Sequence, residues 1–235
     1  MHRPRNLGEL KRIWGKGGKR PCFVFDGWLR STQPPHTPHP TPHQTMTAFD
    51  SRAYGPIFED LLSIDGCRDL GPGTPNGSVE SSLSALSLEG GFAHTTVVDH
   101  EMARLCCSAV WLWHNYLDES HTISQDVPTS SGSYWHGIMH RREPDYPNSK
   151  YWFHRVGSHP VFERLRQGAG NLAETYDTDS TRFLGNQPTW DPFRFVDLCE
   201  TAHSTGFKAD LCVQIQMREW QLLFDHCYGH AVGAK

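Results

Sequence analysis

Two groups of side chains in this chain have the types and spacing of a metal or acid/base site. His114, Asp118 and His121 stand at i, i+4 and i+7, and His136, His140 and Glu143 repeat that spacing. On an α-helix each set shares one face. Imidazole nitrogen with carboxylate oxygen suits a divalent Zn, Fe, Mn or Ni ion. Facing helices that project such groups inward are how helical bundles build metal sites. His114, His121, His136 and His140 are therefore the candidate metal ligands. The same residues suit proton transfer without a metal. Histidine titrates near neutral pH, so His140 is the candidate general acid/base, oriented by Glu143 or Asp118 and accompanied by His136. Neither segment carries the Glu-x-x-His signature of di-iron bundles or the His-Glu-x-x-His of zinc proteases. A Gly-x-Ser-x-Gly nucleophile motif and a dinucleotide fingerprint are also missing from the sequence.

Basic and aromatic residues crowd the second group. Arg141, Arg142, Asn148, Lys150 and Arg155 can grip a carboxylate or phosphate, together with His121. Trp111, Trp135 and Trp152 can wall a pocket around it. The expectation is a binding or interaction protein. Its His/Arg-rich cleft, between the two groups, would take a small anionic molecule or the acidic end of a protein partner. The alternative is an enzyme, metal-dependent or acid/base, working with the same His, Asp and Glu side chains.

These groups need helices to hold them, and the punctuation of the chain is helical. Asp99 is a cap for a long helix running to about residue 120, with Met102, Leu105, Cys106, Ala109, Leu112, Trp113, Tyr116 and Leu117 on one arc. Ser133 is a candidate N-cap for a helix that Pro144 ends. Pro147 lies in the first turn of the next helix and Gly157 stops it. Asp191-Pro192 opens a helix reaching Gly206, and a last helix spans about 209–228. Shorter helices are expected over 52–63, 78–88 and 160–165, with a Gly/Pro loop at 70–78. Only residues 95–98 hint at a strand. The expected fold is all-α, a single domain over 46–235 with six to eight helices. Residues 1–45 have a different composition, basic and then Pro/His/Thr-rich. They are expected to be a disordered arm or a non-native extension, with Met46 as the functional start.

The segment 131–160 resembles one tetratricopeptide repeat. Gly137, His140, Pro144, Tyr146, Ser149, Phe153, Val156 and Pro160 fall near that family's small, aromatic, turn and proline positions. The resemblance implies a helical hairpin whose exposed face binds partners. From Met46 onward the chain also resembles a family of uncharacterised bacterial proteins, planctomycete-like in character. The shared stretches are LGPGTPN (70–76), LDESHTISQD (117–126), the block from Tyr134 to Pro160, WDPFRFVDLCE (190–200) and QMREWQLLFDHCY (216–228). That resemblance carries no activity with it.

Charge and cysteine usage bound the rest. Residues 1–45 hold eight Lys/Arg against Glu9 and Asp26, whereas the remainder holds fourteen against twenty-four acidic residues. An acidic main domain argues against a nucleic-acid footprint. Seven cysteines, with no Cys-x-x-Cys pair, read as buried thiols of a reducing, cytoplasmic setting. No apolar run approaches the ~20 residues that span a bilayer, and no secretory leader is apparent.

Overall fold

The computed structural model describes residues 49–176 and 179–234. The expected basic arm over 1–45 lies outside the described residues. The chain divides between Met46 and Thr47, and the architecture below is that of the second unit alone. Among the described residues it is all-helical, with eleven α-helices, two short 3-10 turns and no strand.

Five short or peripheral helices come first and between: α1 (Pro56–Leu62), α2 (Glu80–Ser84), α3 (Leu88–Gly91), and later α8 (Val161–Ala173) and α9 (Arg182–Asn186). The framework consists of α4 (His100–Trp113), α5 (Leu117–Gln125), α6 (Ser130–Arg142), α7 (Tyr146–Val156), α10 (Pro192–Thr205) and α11 (Ala209–Ala231). Capping chemistry sets several of these ends. Asp99 accepts from the Met102 N–H, and Asp191 accepts from the Phe193 and Arg194 N–H groups with Pro192 behind it. Gly157 and Gly206 close α7 and α10 at positive φ, where only glycine is free of Cβ strain.

The helix count exceeds the expected six to eight because two expected helices are divided and α9 forms where none is expected. The 78–88 segment is two short helices, and the 99–120 helix breaks after Trp113. Asn115 takes a left-handed φ of 66° at that break, which Asn tolerates better than most residues. Its amide donates to the Thr74 carbonyl at 3.0 Å. The chain then restarts as α5 in a new direction. Residues 95–98 form no strand; the Val98 N–H donates instead to the Ala231 carbonyl at 2.8 Å. The N-cap of α6 is Thr129, whose hydroxyl accepts from the Gly132 N–H at 3.0 Å, and Ser133 sits inside the helix.

The centre of the domain is α6. Twelve of its residues, from Ser131 to Arg142, are buried. A helix buried all round is normally apolar, yet this one carries two His and two Arg. Gly137 makes its packing possible, since a Cβ there would meet the Phe153 ring of α7 at 3.1 Å. The Ser149 hydroxyl binds the Gly137 carbonyl at 2.7 Å across the same contact.

Both arginines of α6 find partners inside the protein, although Arg141 bonds through Nη2 alone and its buried Nε and Nη1 have no hydrogen-bond partner among the described residues. Arg141 and Glu219 of α11 form an ion pair with neither side chain exposed. The Tyr134 hydroxyl donates to the other Glu219 oxygen at 3.1 Å. Burial works against the Arg141 charge, and Glu219 overcomes that and holds its pKa above the usual value. The Phe195 ring lies 4.7 Å from the guanidinium carbon, which adds cation–π attraction in a dry site. Arg142 reaches the other way. It donates to the Gly71 carbonyl at 2.7 Å and to Asn115 Oδ1 at 2.6 Å. It thereby ties the 67–76 loop and the α4–α5 break to α6.

A buried pair stripped of one partner leaves an uncompensated charge, at a cost of about 3–5 kcal/mol. Glu219→Gln should lose stability on that scale in urea unfolding. Arg141→Met with Glu219→Leu should recover most of it. A single-variant loss below ~1 kcal/mol, the range of solvated pairs, would contradict the desolvated pair.

Candidate functional site

Three of the four candidate metal ligands converge. His121 on α5 and His136 and His140 on α6 each offer a ring nitrogen, and these nitrogens lie within 4.8 Å of one another. Ring centroids are 4.5 Å apart for His121 and His136, 4.7 Å for His136 and His140, and 5.3 Å for His121 and His140. The i, i+4 spacing stacks the two α6 imidazoles on one face, and the break at Asn115 turns α5 so that His121 meets them. His114 is not part of the group. It lies before the break, buried, with Nε2 3.0 Å from the Leu61 carbonyl. The expected face of His114, Asp118 and His121 therefore does not exist, because no continuous helix joins them.

The outer nitrogens of the α6 pair are already oriented. His140 Nδ1 is 2.9 Å from Glu143 Oε2, and His136 Nδ1 is 3.2 Å from the Ser124 hydroxyl. Asn148 Nδ2 lies 3.1 Å from His140 Nε2 and 3.4 Å from Nδ1. An amide N–H only donates, so at 3.1 Å Asn148 addresses the Nε2 lone pair of His140. The hydrogen bond of His136 runs through Nδ1 and leaves Nε2 to face the other imidazoles. Trp152 closes the group on one side, its ring 3.9 Å from that of His136.

Burial favours the neutral form of the two α6 imidazoles. Burial, followed by the neighbouring His140 and His121, pushes the His136 pKa down to about 3. Burial also lowers His140, against the opposing pull of Glu143. Neutral imidazole is the form that binds a metal ion.

Beside this group is an open cleft of about 610 Å³, bounded by Pro72, Gly73, Asn115, Tyr116, Asp118, Glu119, Glu143 and Asp145. Glu143 belongs to both, since its carboxylate faces the cleft and holds His140. Asp118 is therefore a cleft residue rather than a partner of His114. The lining includes four carboxylates and no basic residue.

That charge corrects the expected anion grip. Arg141 and Arg142 are core residues engaged by Glu219, backbone carbonyls and Asn115, so neither reaches the cleft. Lys150 is paired with Asp197 of α10. Trp135 is also internal, with its indole N–H 3.4 Å from Cys227 Sγ. Of the expected walls, Trp152 stands at the histidines, and Trp111 packs on Tyr116 at 5.2 Å. Sequence reasoning missed Ser124, whose position four residues before Pro128 gave no sign that it would meet His136. It also passed over Asp145, which was legible only as a helix-end carboxylate.

No family model, curated protein or solved structure matches this chain.

A second buried imidazole, His159, shares the electrostatic signature. Burial and then His226 and His230 push its pKa down to about 3. In the unfolded chain both His136 and His159 protonate near 6.5. Between those values the unfolded state binds more protons, so stability rises with pH there. Stability of the metal-free protein should be full above about pH 6.5 and fall by several kcal/mol as pH drops towards 3. Urea unfolding at stepped pH measures this. His136→Gln should flatten the slope, and a flat wild-type profile would contradict the assigned burial.

Proposed function

We propose that this chain is a divalent-metal protein, an enzyme of the zinc class, with His121, His136 and His140 as its ligands. The observation that carries the reading is the convergence of three imidazole nitrogens within 4.8 Å; an ion there would displace the Asn148 amide from His140 Nε2. Nitrogens bound tetrahedrally at ~2.0–2.1 Å stand ~3.3 Å apart. Closing on an ion therefore asks for side-chain shifts of about an ångström. Three protein ligands leave a fourth position, the arrangement of catalytic rather than structural zinc sites. A metal so held supplies Lewis acidity and a bound water of lowered pKa.

The protein's own groups do the remaining work in this reading. Trp152 and the surrounding core limit water at the histidines. The cleft beside Glu143 admits a small molecule, and Asp118, Glu119 and Asp145 favour a cationic or neutral one over an anion. The tetratricopeptide-like reading is weaker, because that role needs an exposed polar helix face and α6 offers none. A cytoplasmic setting fits the free, buried thiols of Cys67, Cys106, Cys107, Cys199 and Cys212. No helix among the described residues is long and apolar enough to cross a membrane.

Untagged protein should bind one equivalent of Zn(II) or Co(II), with Co(II) giving the intense visible bands of a tetrahedral site. His121→Ala, His136→Ala and His140→Ala should each reduce affinity at least tenfold, while His154→Ala, on the exposed side of α7, should not. Elemental analysis and chelator competition read both. Wild-type protein that binds no more tightly than the His136→Ala variant would end the metal reading.

A further inference from the structure

We infer that Glu143 is a positioning residue for the histidine centre: its carboxylate fixes the tautomer and ring angle of His140 so that Nε2 faces the ion. The inference rests on the metal reading above and deepens it. Ionised carboxylates accept but do not donate hydrogen bonds. At 2.9 Å from Glu143 Oε2, Nδ1 must therefore carry the proton, which leaves the lone pair on Nε2. Metal-bound histidines commonly give their second N–H to a carboxylate in this way, which fixes the ring and raises its basicity.

The placement of Glu143 follows from the helix end. It is the C-cap of α6, three residues beyond His140, so its side chain folds back over the last turn. The backbone holds it there: the Glu143 N–H donates to the Met139 carbonyl at 3.0 Å, and the Asp145 N–H donates to the His140 carbonyl at 3.0 Å. The Asn148 amide, a donor 3.1 Å from His140 Nε2, also requires the lone pair to be on that nitrogen. His136 has a hydroxyl, Ser124, in the corresponding place, and a hydroxyl can accept or donate. Only His140 has its tautomer dictated by a charge. Glu143 also lines the acidic cleft, so the residue that orients the ligand is also one that an incoming molecule meets.

The test uses full-length wild-type protein, Glu143→Ala and Glu143→Gln. Nitrogen-15 NMR of the metal-free proteins reports the His140 tautomer directly. The wild type should show Nδ1–H, Glu143→Ala a mixture with Nε2–H, and Glu143→Gln, which keeps an acceptor oxygen, should return towards Nδ1–H. Zinc affinity by chelator competition should fall about 10–100-fold in Glu143→Ala, the usual loss for such partners, and by less in Glu143→Gln. Thermal unfolding should barely move, because Glu143 is exposed at a helix end. An unchanged tautomer and unchanged zinc affinity in Glu143→Ala would overturn the inference while leaving the metal reading intact. A wild type that fails to bind zinc at all, with His140 still Nδ1–H, would instead overturn the metal reading and with it this role for Glu143.

Discussion

The buried pair of Arg141 and Glu219 is the constraint on which the rest of this domain depends. A guanidinium in a dry interior is tolerated only when its charge is matched. Glu219 supplies the charge from α11, Tyr134 fills its second oxygen, and Gln216 one turn earlier approaches Arg141 at 3.4 Å. Gln216 then donates to the Asp69 carbonyl at 2.9 Å. The pair therefore fixes α11 against α6 both along the axis and around it. An apolar contact can slide by a turn at modest cost, whereas a desolvated charge without its partner costs several kcal/mol. Specificity of register, more than net stability, is what this arrangement contributes.

That registration reaches the histidines through α6 itself. Arg141 and Arg142 stand next to His140 in sequence but leave the helix in different directions. Arg141 points to α11, Arg142 to the loop at Gly71 and Pro72, and His140 to α5. Each side of the helix is thus claimed by a different element. Arg142 also takes Asn115 Oδ1 at 2.6 Å, and Asn115 is the left-handed residue where α4 ends. The guanidinium that organises the cleft wall therefore also holds the break that redirects α5. Were α4 to continue straight, His121 would fall on its extension, about 1.5 Å per residue along the axis, with no reason to meet α6. Convergence of the three imidazoles is a consequence of the break.

Several parts of this were legible in the sequence, and their physics is local. Asp99, Asp191-Pro192, Gly157 and Gly206 announced helix ends because caps and turn glycines act within one helical turn. The shared face of His136 and His140 followed from helical period alone. What stayed hidden depends on partners far along the chain. Nothing near Arg141 and Arg142 revealed that they were core residues, because the acceptors lie at Glu219, at the 67–76 loop and at Asn115. Their adjacency to histidines suggested an anion site, which is the ordinary meaning of clustered exposed arginines. The break at Asn115 was hidden for the same reason. The apolar arc of α4 ran on to Tyr116 and Leu117, and both are buried, but from either side of a turn rather than along one helix.

The polarity of α6 then has a single explanation that covers both stability and chemistry. A central helix of Leu and Ile would pack as well and need no counter-charges, and buried ion pairs often give no more stability than apolar replacements. Retaining Arg141 and Arg142 yields a rigid frame in which the neighbouring turns can hold neutral, partly unpartnered imidazoles away from water. Those imidazoles are destabilising when protonated, as the depressed pKa of His136 shows. Phe153 meets Gly137 at the α6–α7 contact without them, and the Ser124 hydroxyl also donates to the His121 carbonyl at 3.2 Å. The fold thus accepts a pH-dependent weakness at one face of its most constrained helix, where local strain or electrostatic cost tends to mark a working site. The charge pair that makes α6 immovable is what allows that face to be specialised.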